Sequence, residues 1–171
     1  MMIIQFFKKF QLRFSITSYV FEPMMHLMNQ KIEETKMENV TVIIESDILP
    51  TEDEFKVERA VRNIFPLIEI RLEENKGRRI KGHAKGLKIL SEFRSLLKRN
   101  RIRAATRSIM LRSISASSIT VALNKQAAYA GHVSFTTDPN ESPLGPIILT
   151  IQSSKPQEVI DWLVKPKRQE N

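Results

Sequence analysis

The chain contains no cysteine in 171 residues. That single absence excludes a disulfide framework, a thiolate metal site and a cysteine nucleophile. Glycine is scarce, with five in all, and neither Gly-x-Gly-x-x-Gly nor Gly-x-Ser-x-Gly occurs, so the dinucleotide fingerprint and the hydrolase nucleophile elbow are missing. Gly77 and Gly82 have the spacing of a phosphate-cradling loop, but His83-Ala84 stands where that loop needs Lys followed by Ser or Thr. Without that lysine the β- and γ-phosphates lose their charge partner, and a nucleotide hydrolase is rejected. The three histidines, His26, His83 and His132, lie far apart with no partner at i, i+4, which argues against a metal site.

Long hydrophobic runs are also absent. No stretch approaches the ~18 apolar residues of a membrane-spanning helix: Met1 to Phe7 is cut short by Lys8 and Lys9, and Phe14 to Phe21 carries Ser15, Thr17 and Ser18. A secretory signal places its basic residues before the apolar run, whereas Lys8 and Lys9 follow it. The expectation is a soluble cytoplasmic protein with no membrane contact, no cofactor, no metal and no catalytic group.

What the chain has is charge, unevenly placed. Its formal net charge is +8, with 42% apolar and 27% charged residues, the composition of a folded domain with a polyanionic partner. From Glu38 to Glu74 ten acids face four bases, whereas from Arg78 to Arg112 twelve bases face Glu92 alone. Eight of those twelve are arginine, which suits bidentate phosphate contacts and stacking on bases.

The pattern divides the chain into an N-terminal extension, residues 1–36, a single α+β domain, residues 37–165, and a basic tail, residues 166–171. The extension is rich in Met and Phe without sustained period and ends just before Met37. It reads either as a leader translated upstream of a start at Met37 or as a loosely attached helical arm. The β-branched run from Val40 predicts a strand to Ile48, closed by Pro50. Thr51-Glu52-Asp53-Glu54 predicts a capping box with Thr51 as N-cap, which explains these carboxylates better than an acid/base pair does. Val57, Val61 and Ile64 predict a helix ended by Pro66. Ile68, Ile70 and Leu72 alternate with charges as in a half-buried strand, and a short strand is expected near Ile80.

A helix over Leu87–Arg99 is expected to bury Ile89, Leu90, Phe93, Leu96 and Leu97 and to expose Lys88, Lys98 and Arg99. A second, over Arg101–Arg112, is expected to bury Ile102, Ala105 and Ile109 and to project Arg103 and Arg107 together. Strands are expected over Ile119–Leu123, His132–Phe135 and Ile147–Ile151, with a turn over Asn124–Ala130 and a helix opened by Pro156.

These observations point to an RNA-binding protein without catalytic activity, contacting phosphates through Arg78, Arg79, Lys81, Lys85, Lys88, Lys98, Arg99, Arg101, Arg103 and Arg107. Asn124, Lys125 and Gln126 are the expected polar readers, and Tyr129 is placed either to stack on a base or to fill a core edge. The alternative is a scaffold or complex subunit whose basic face meets an acidic protein partner. An enzyme acting on a phosphorylated small molecule is the least supported. An edge strand with one polar face leaves homodimerisation open.

From Met37 on, the chain resembles an archaeal family, uncharacterised protein family 0201. The residues that carry this are Leu49-Pro50-Thr51-Glu52-Asp53, Asn63-Ile64-Phe65-Pro66, Leu123 to Gly131 (LNKQAAYAG), Glu141 to Ile147 (ESPLGPI) and Asp161-Trp162-Leu163. The resemblance implies RNA binding, a place in a protein complex of RNA metabolism such as the exosome, and no established activity. It also implies an α+β fold like that of the 5S-rRNA-binding ribosomal protein, a mostly antiparallel sheet with helices packed on one face. Double-stranded-RNA-binding domains carry clustered lysines at the start of their last helix; here that position offers only Lys155, and the cations stand instead at residues 78–112.

Overall fold

The computed structural model describes residues 39–74, 77–136 and 143–165; the readings made for residues 1–36 and 166–171 lie outside them. Three central strands set the architecture: β1 (Thr41–Asp47), β5 (Ser118–Asn124) and β7 (Pro146–Gln152). Each alternates, and the antiparallel register stacks their buried residues in rows: Val42, Ile151 and Ile119; Ile44, Leu149 and Val121; Ser46, Ile147 and Leu123. Period-two burial on one face is what a sheet covered on that side requires.

β2 (Glu69–Glu73) and β3 (Arg79–Lys85) form a hairpin on the other side of β1, and the short β4 (Ile114–Ser115) and β6 (Phe135–Thr136) both pair with β5. The order is β2-β3-β1-β7-β5-β4, and the pairings are antiparallel. β6 is shorter and later than the expected His132–Phe135 strand. The His132 N–H is drawn back to the Ala127 carbonyl, 2.9 Å away, to close the preceding helical turn, and so leaves the ladder.

The α-helices among the described residues are α1 (Glu54–Ile64), α2 (Ser91–Arg99), α3 (Arg103–Arg112), α4 (Lys125–Tyr129) and α5 (Pro156–Val164). Their apolar residues join the sheet's buried rows in one core, where Phe65 of the α1 terminus meets Phe93 of α2 with ring centroids 5.4 Å apart. The described residues are therefore α+β, as their sequence pattern leads one to expect, with the helices on one sheet face, as the family resemblance implies.

Three local expectations need correction. The N-cap of α1 is Asp53, whose Oδ1 accepts from the Phe55 N–H at 2.8 Å, and not Thr51. The α-helix of the basic segment starts at Ser91, because Leu87–Leu90 forms a 3₁₀ turn after Gly86 (φ 91°). In α3 the buried residues are Thr106 and Met110, while Ala105 is exposed. Thr106 is buried because its hydroxyl donates to the Ile102 carbonyl at 2.9 Å, so a residue that reads as polar has its hydrogen bond made within its own helix.

Gly82 of β3 marks the tightest approach in the hairpin. A Cβ there would stand 2.9 Å from Ile68 Cδ1 and 3.4 Å from the Glu69 carbonyl oxygen. Gly82→Ala is thus expected to destabilise the fold by about 1–3 kcal/mol through overpacking, read as a lower midpoint in urea unfolding.

Candidate nucleic-acid interface

Antiparallel register decides the fate of the first basic residues. Pairing β3 with β1 sets Lys81 opposite Glu45 and Arg79 opposite Asp47, while β2 sets Glu73 opposite Arg79. Arg79 accordingly binds Asp47 at 2.6 Å and lies 3.8 Å from Glu45, and Lys81 lies 3.5 Å from Glu45 and 3.9 Å from Glu73. The hydrogen bond from Arg79 to Asp47, then that carboxylate's charge, raises the guanidinium pKa above its ordinary value. Arg78 pairs with Glu54, and with Glu74 at 3.9 Å. These three residues, expected as phosphate contacts, are engaged by the acidic first third of the chain. Lys85 and Lys88 are exposed and have no ion-pair partner among the described residues, but they stand at the end of β3 and in the 3₁₀ turn rather than with the later cations.

The later cations do converge. α2 presents Arg94 and Lys98 at i, i+4, α3 presents Arg103 and Arg107 at i, i+4, and Lys165 follows the end of α5. Arg94, Ser95, Lys98, Arg103, Leu163 and Lys165 line one hollow. Arg103, Ala104, Arg107, Asp161, Val164 and Lys165 line an adjoining cleft of about 570 Å³. The two share Arg103 and Lys165, so five cations from three helices edge one surface in which Asp161 is the acid. Asp161 binds Arg107 at 2.9 Å. Arg94 lies 4.6 Å from the Trp162 ring centroid and donates to the Lys165 carbonyl at 3.4 Å, which fixes its head at the cleft edge. Lys98 and Arg103 have no ion-pair partner among the described residues.

The turn joining α2 to α3 sets this geometry. Arg101 takes φ 59° there, a left-handed conformation that costs an L-residue roughly 1–2 kcal/mol. Its neighbour Asn100 contacts His132 Nδ1 through Nδ2 at 3.0 Å, which ties the turn to the segment after α4. Arg99 is instead held by Glu92 at 2.9 Å.

A second site lies between α1 and α4. Lys125, expected as an exposed reader, is buried: its side chain is 4% exposed and that of its partner Glu52 is 8% exposed. The ammonium donates to both Glu52 carboxylate oxygens, at 3.1 and 2.9 Å, to the Asp47 carbonyl at 2.7 Å and to the Leu144 carbonyl at 2.6 Å. Glu52 also accepts from the Leu49 N–H at 3.0 Å. Asn124 is likewise committed, as N-cap of α4, accepting from the Ala127 N–H at 2.9 Å. Gln126 and Tyr129 remain exposed, with the Arg59 guanidinium 5.2 Å from the Tyr129 ring centroid. Around them is a pocket of about 350 Å³ with Val57, Ala60 and Leu144 in its walls and Lys56 at its edge.

Sequence reasoning missed Arg94 and Lys165 as site residues, although Arg94 stands four before Lys98 and would share its helix face. It also missed Lys56 and Arg59, which were counted only as relief in an acidic block. The segments carrying the family resemblance, Leu49 to Asp53, Leu123 to Gly131 and Glu141 to Ile147, meet at the Lys125–Glu52 pair through their described residues.

Fold and site together define an antiparallel α+β protein with a one-sided helix layer and a cationic cleft between helices. A family model described as RNA binding matches residues 41–153. The chain is 38% identical over 122 residues to the UPF0201 protein of Metallosphaera sedula, covering 71% of this chain and 85% of that one. It is 42% identical over 123 residues to the UPF0201 protein of Sulfolobus acidocaldarius, with the same coverage. The crystal structure of the UPF0201 protein from Methanococcus jannaschii superposes with TM-score 0.64 at 29% identity, covering 72% of this chain and 98% of that one. The chain belongs to this family, uncharacterised protein family 0201. Among its described residues no helix is long and apolar enough to cross a membrane, and no group of acids and histidines is arranged to hold a metal ion.

Proposed function

We propose that the protein binds RNA without catalysing a reaction on it, and that the cleft between α2, α3 and α5 holds the phosphate backbone. The observation that carries this is the convergence of Arg94, Lys98, Arg103, Arg107 and Lys165 on one surface with Asp161 as its acid. Lys98 and Arg103 at its centre have no ion-pair partner among the described residues, so a polyanion would supply their neutralising charge, and releasing its counterions favours binding. The family model's description points the same way. β3 serves the fold through its cross-strand ion pairs, so the RNA footprint is narrower than residues 78–112 and reaches α5.

The test is ultraviolet crosslinking of the purified chain to total cellular RNA, followed by peptide mapping. Crosslinks are expected in peptides spanning residues 94–107 and 161–165. If an acidic polypeptide displaces the RNA at equal charge concentration, the scaffold reading takes its place. Asp161 supplies a prediction of opposite sign to the usual loss. Asp161→Asn removes the acid from the cleft and frees Arg107, so RNA affinity is expected to rise roughly two- to fivefold by fluorescence polarisation, the worth of one exposed ion pair.

A further inference from the structure

The pocket between α1 and α4 has features that phosphate binding by the cleft does not use. An ammonium has three hydrogens, and those of Lys125 go to the Glu52 carboxylate and to the Asp47 and Leu144 carbonyls. None is left for a ligand, and the floor formed with Glu52 is neutral in sum, so a phosphate gains nothing there. The walls, Val57, Ala60 and Leu144, are apolar. The mouth is different in kind. Gln126 is exposed, and its amide makes no hydrogen bond to the described residues. Tyr129 is 40% exposed and is the aromatic residue of the pocket lining. Lys56 has no ion-pair partner among the described residues, and Arg59 lies over the Tyr129 ring.

We propose that this pocket receives one unpaired nucleobase of an RNA strand, stacked on Tyr129 and read at its edge by Gln126, with the flanking phosphates on Lys56 and Arg59. This rests on the RNA-binding reading and adds to it the requirement for an unpaired base. The size fits: about 350 Å³ is at the lower end of small-molecule sites, enough for one nucleoside and not for a stacked pair. An apolar peptide side chain would suit the walls but leave the Gln126 amide without a partner and bring no negative charge to Lys56 and Arg59. One contact ties the segment after α4 to the turn between α2 and α3: His132, three residues beyond Tyr129, meets Asn100, and Arg101, next in the chain, is exposed without an ion-pair partner among the described residues.

The experiment compares five probes on the full chain by fluorescence polarisation: a single-stranded RNA twelve-mer, a fully abasic sugar-phosphate strand of equal length, a blunt RNA duplex and, as competitors, adenosine monophosphate and an apolar peptide. The single strand is expected to bind roughly tenfold tighter than the abasic strand, the size of one stacking contact, and tighter than the duplex. Tyr129→Ala should erase that advantage while binding to the abasic strand changes less than twofold. Tyr129→Phe should restore it, and Gln126→Ala should reduce it without touching the ring. Equal affinity for single and abasic strands, or insensitivity to Tyr129→Ala, overturns the pocket assignment and leaves backbone binding in place. Failure to bind any strand overturns the RNA-binding reading itself. Displacement by adenosine monophosphate at micromolar concentration, or by an apolar peptide, assigns the pocket to a free nucleotide or a protein and overturns the proposal.

Discussion

Replacing Lys125 by methionine is expected to lower the unfolding free energy by about 3–5 kcal/mol, the cost of breaking a buried ion pair from one side. The substitution keeps the side chain out to Cε and most of its apolar stem, so little of the loss comes from packing. It comes from what remains: a Glu52 carboxylate in a site 8% exposed, with the Asp47 and Leu144 carbonyls deprived of their donor. A typical domain is stable by roughly 5–15 kcal/mol, so this one atom group decides a large share of the total. Adding Glu52→Gln to Lys125→Met should recover part of the loss, because the neutral amide can still accept from the Leu49 N–H at no cost of buried charge. Urea unfolding reads both, as a midpoint shift at unchanged slope. A shift under about 1 kcal/mol for Lys125→Met would mean that water reaches the pair.

The second large effect belongs to the cleft. Lys98→Gln, Arg103→Gln and Lys165→Gln together are expected to weaken RNA binding roughly a hundredfold at 0.1 M salt, because each lost phosphate contact on a single strand is worth about fivefold there. Arg94 and Arg107 are left in place, since one packs on Trp162 and the other binds Asp161, and their removal would disturb α5. The Lys98→Gln and Arg103→Gln changes by themselves should leave the unfolding free energy within about 0.5 kcal/mol of the parent, as surface changes do. A matched triple change at β3 and the residue before it, Arg78→Gln, Arg79→Gln and Lys81→Gln, separates footprint from total charge. It should leave affinity within a fewfold and instead lower stability, since those residues answer carboxylates of β1, β2 and α1.

Local pattern made much of this fold legible. β1, α1 and α5 are set by alternation or helical spacing that survives folding unchanged, and the buried Val57, Val61 and Ile64 are those their spacing predicts. What sequence could not supply was what depends on distant partners. Glu52 and Asp53 are adjacent carboxylates of similar chemistry, and only the backbone turn makes one a cap and sends the other inward to a lysine 73 positions away. Lys125 reads as surface charge for the same reason. The contrast between the acidic and basic blocks was visible, yet the hairpin register that folds one onto the other was not, so Arg78, Arg79 and Lys81 appeared free. Arg103 and Arg107 were legible as a pair because α3 alone determines it, whereas their companion Lys165 arrives from α5. Tyr129 was singled out by its type and polar setting; its pocket required α1.

The central claim is that five side chains of one cleft hold an RNA backbone, and the slope of log affinity against log salt measures that number. For a single-stranded RNA short enough to occupy the cleft alone, without reaching Lys56 and Arg59, the parent chain should give a slope of about −3.5, and the Lys98, Arg103 and Lys165 triple variant one of about −1.4. A parent slope shallower than about −1, or equal slopes for the two proteins, would contradict the account.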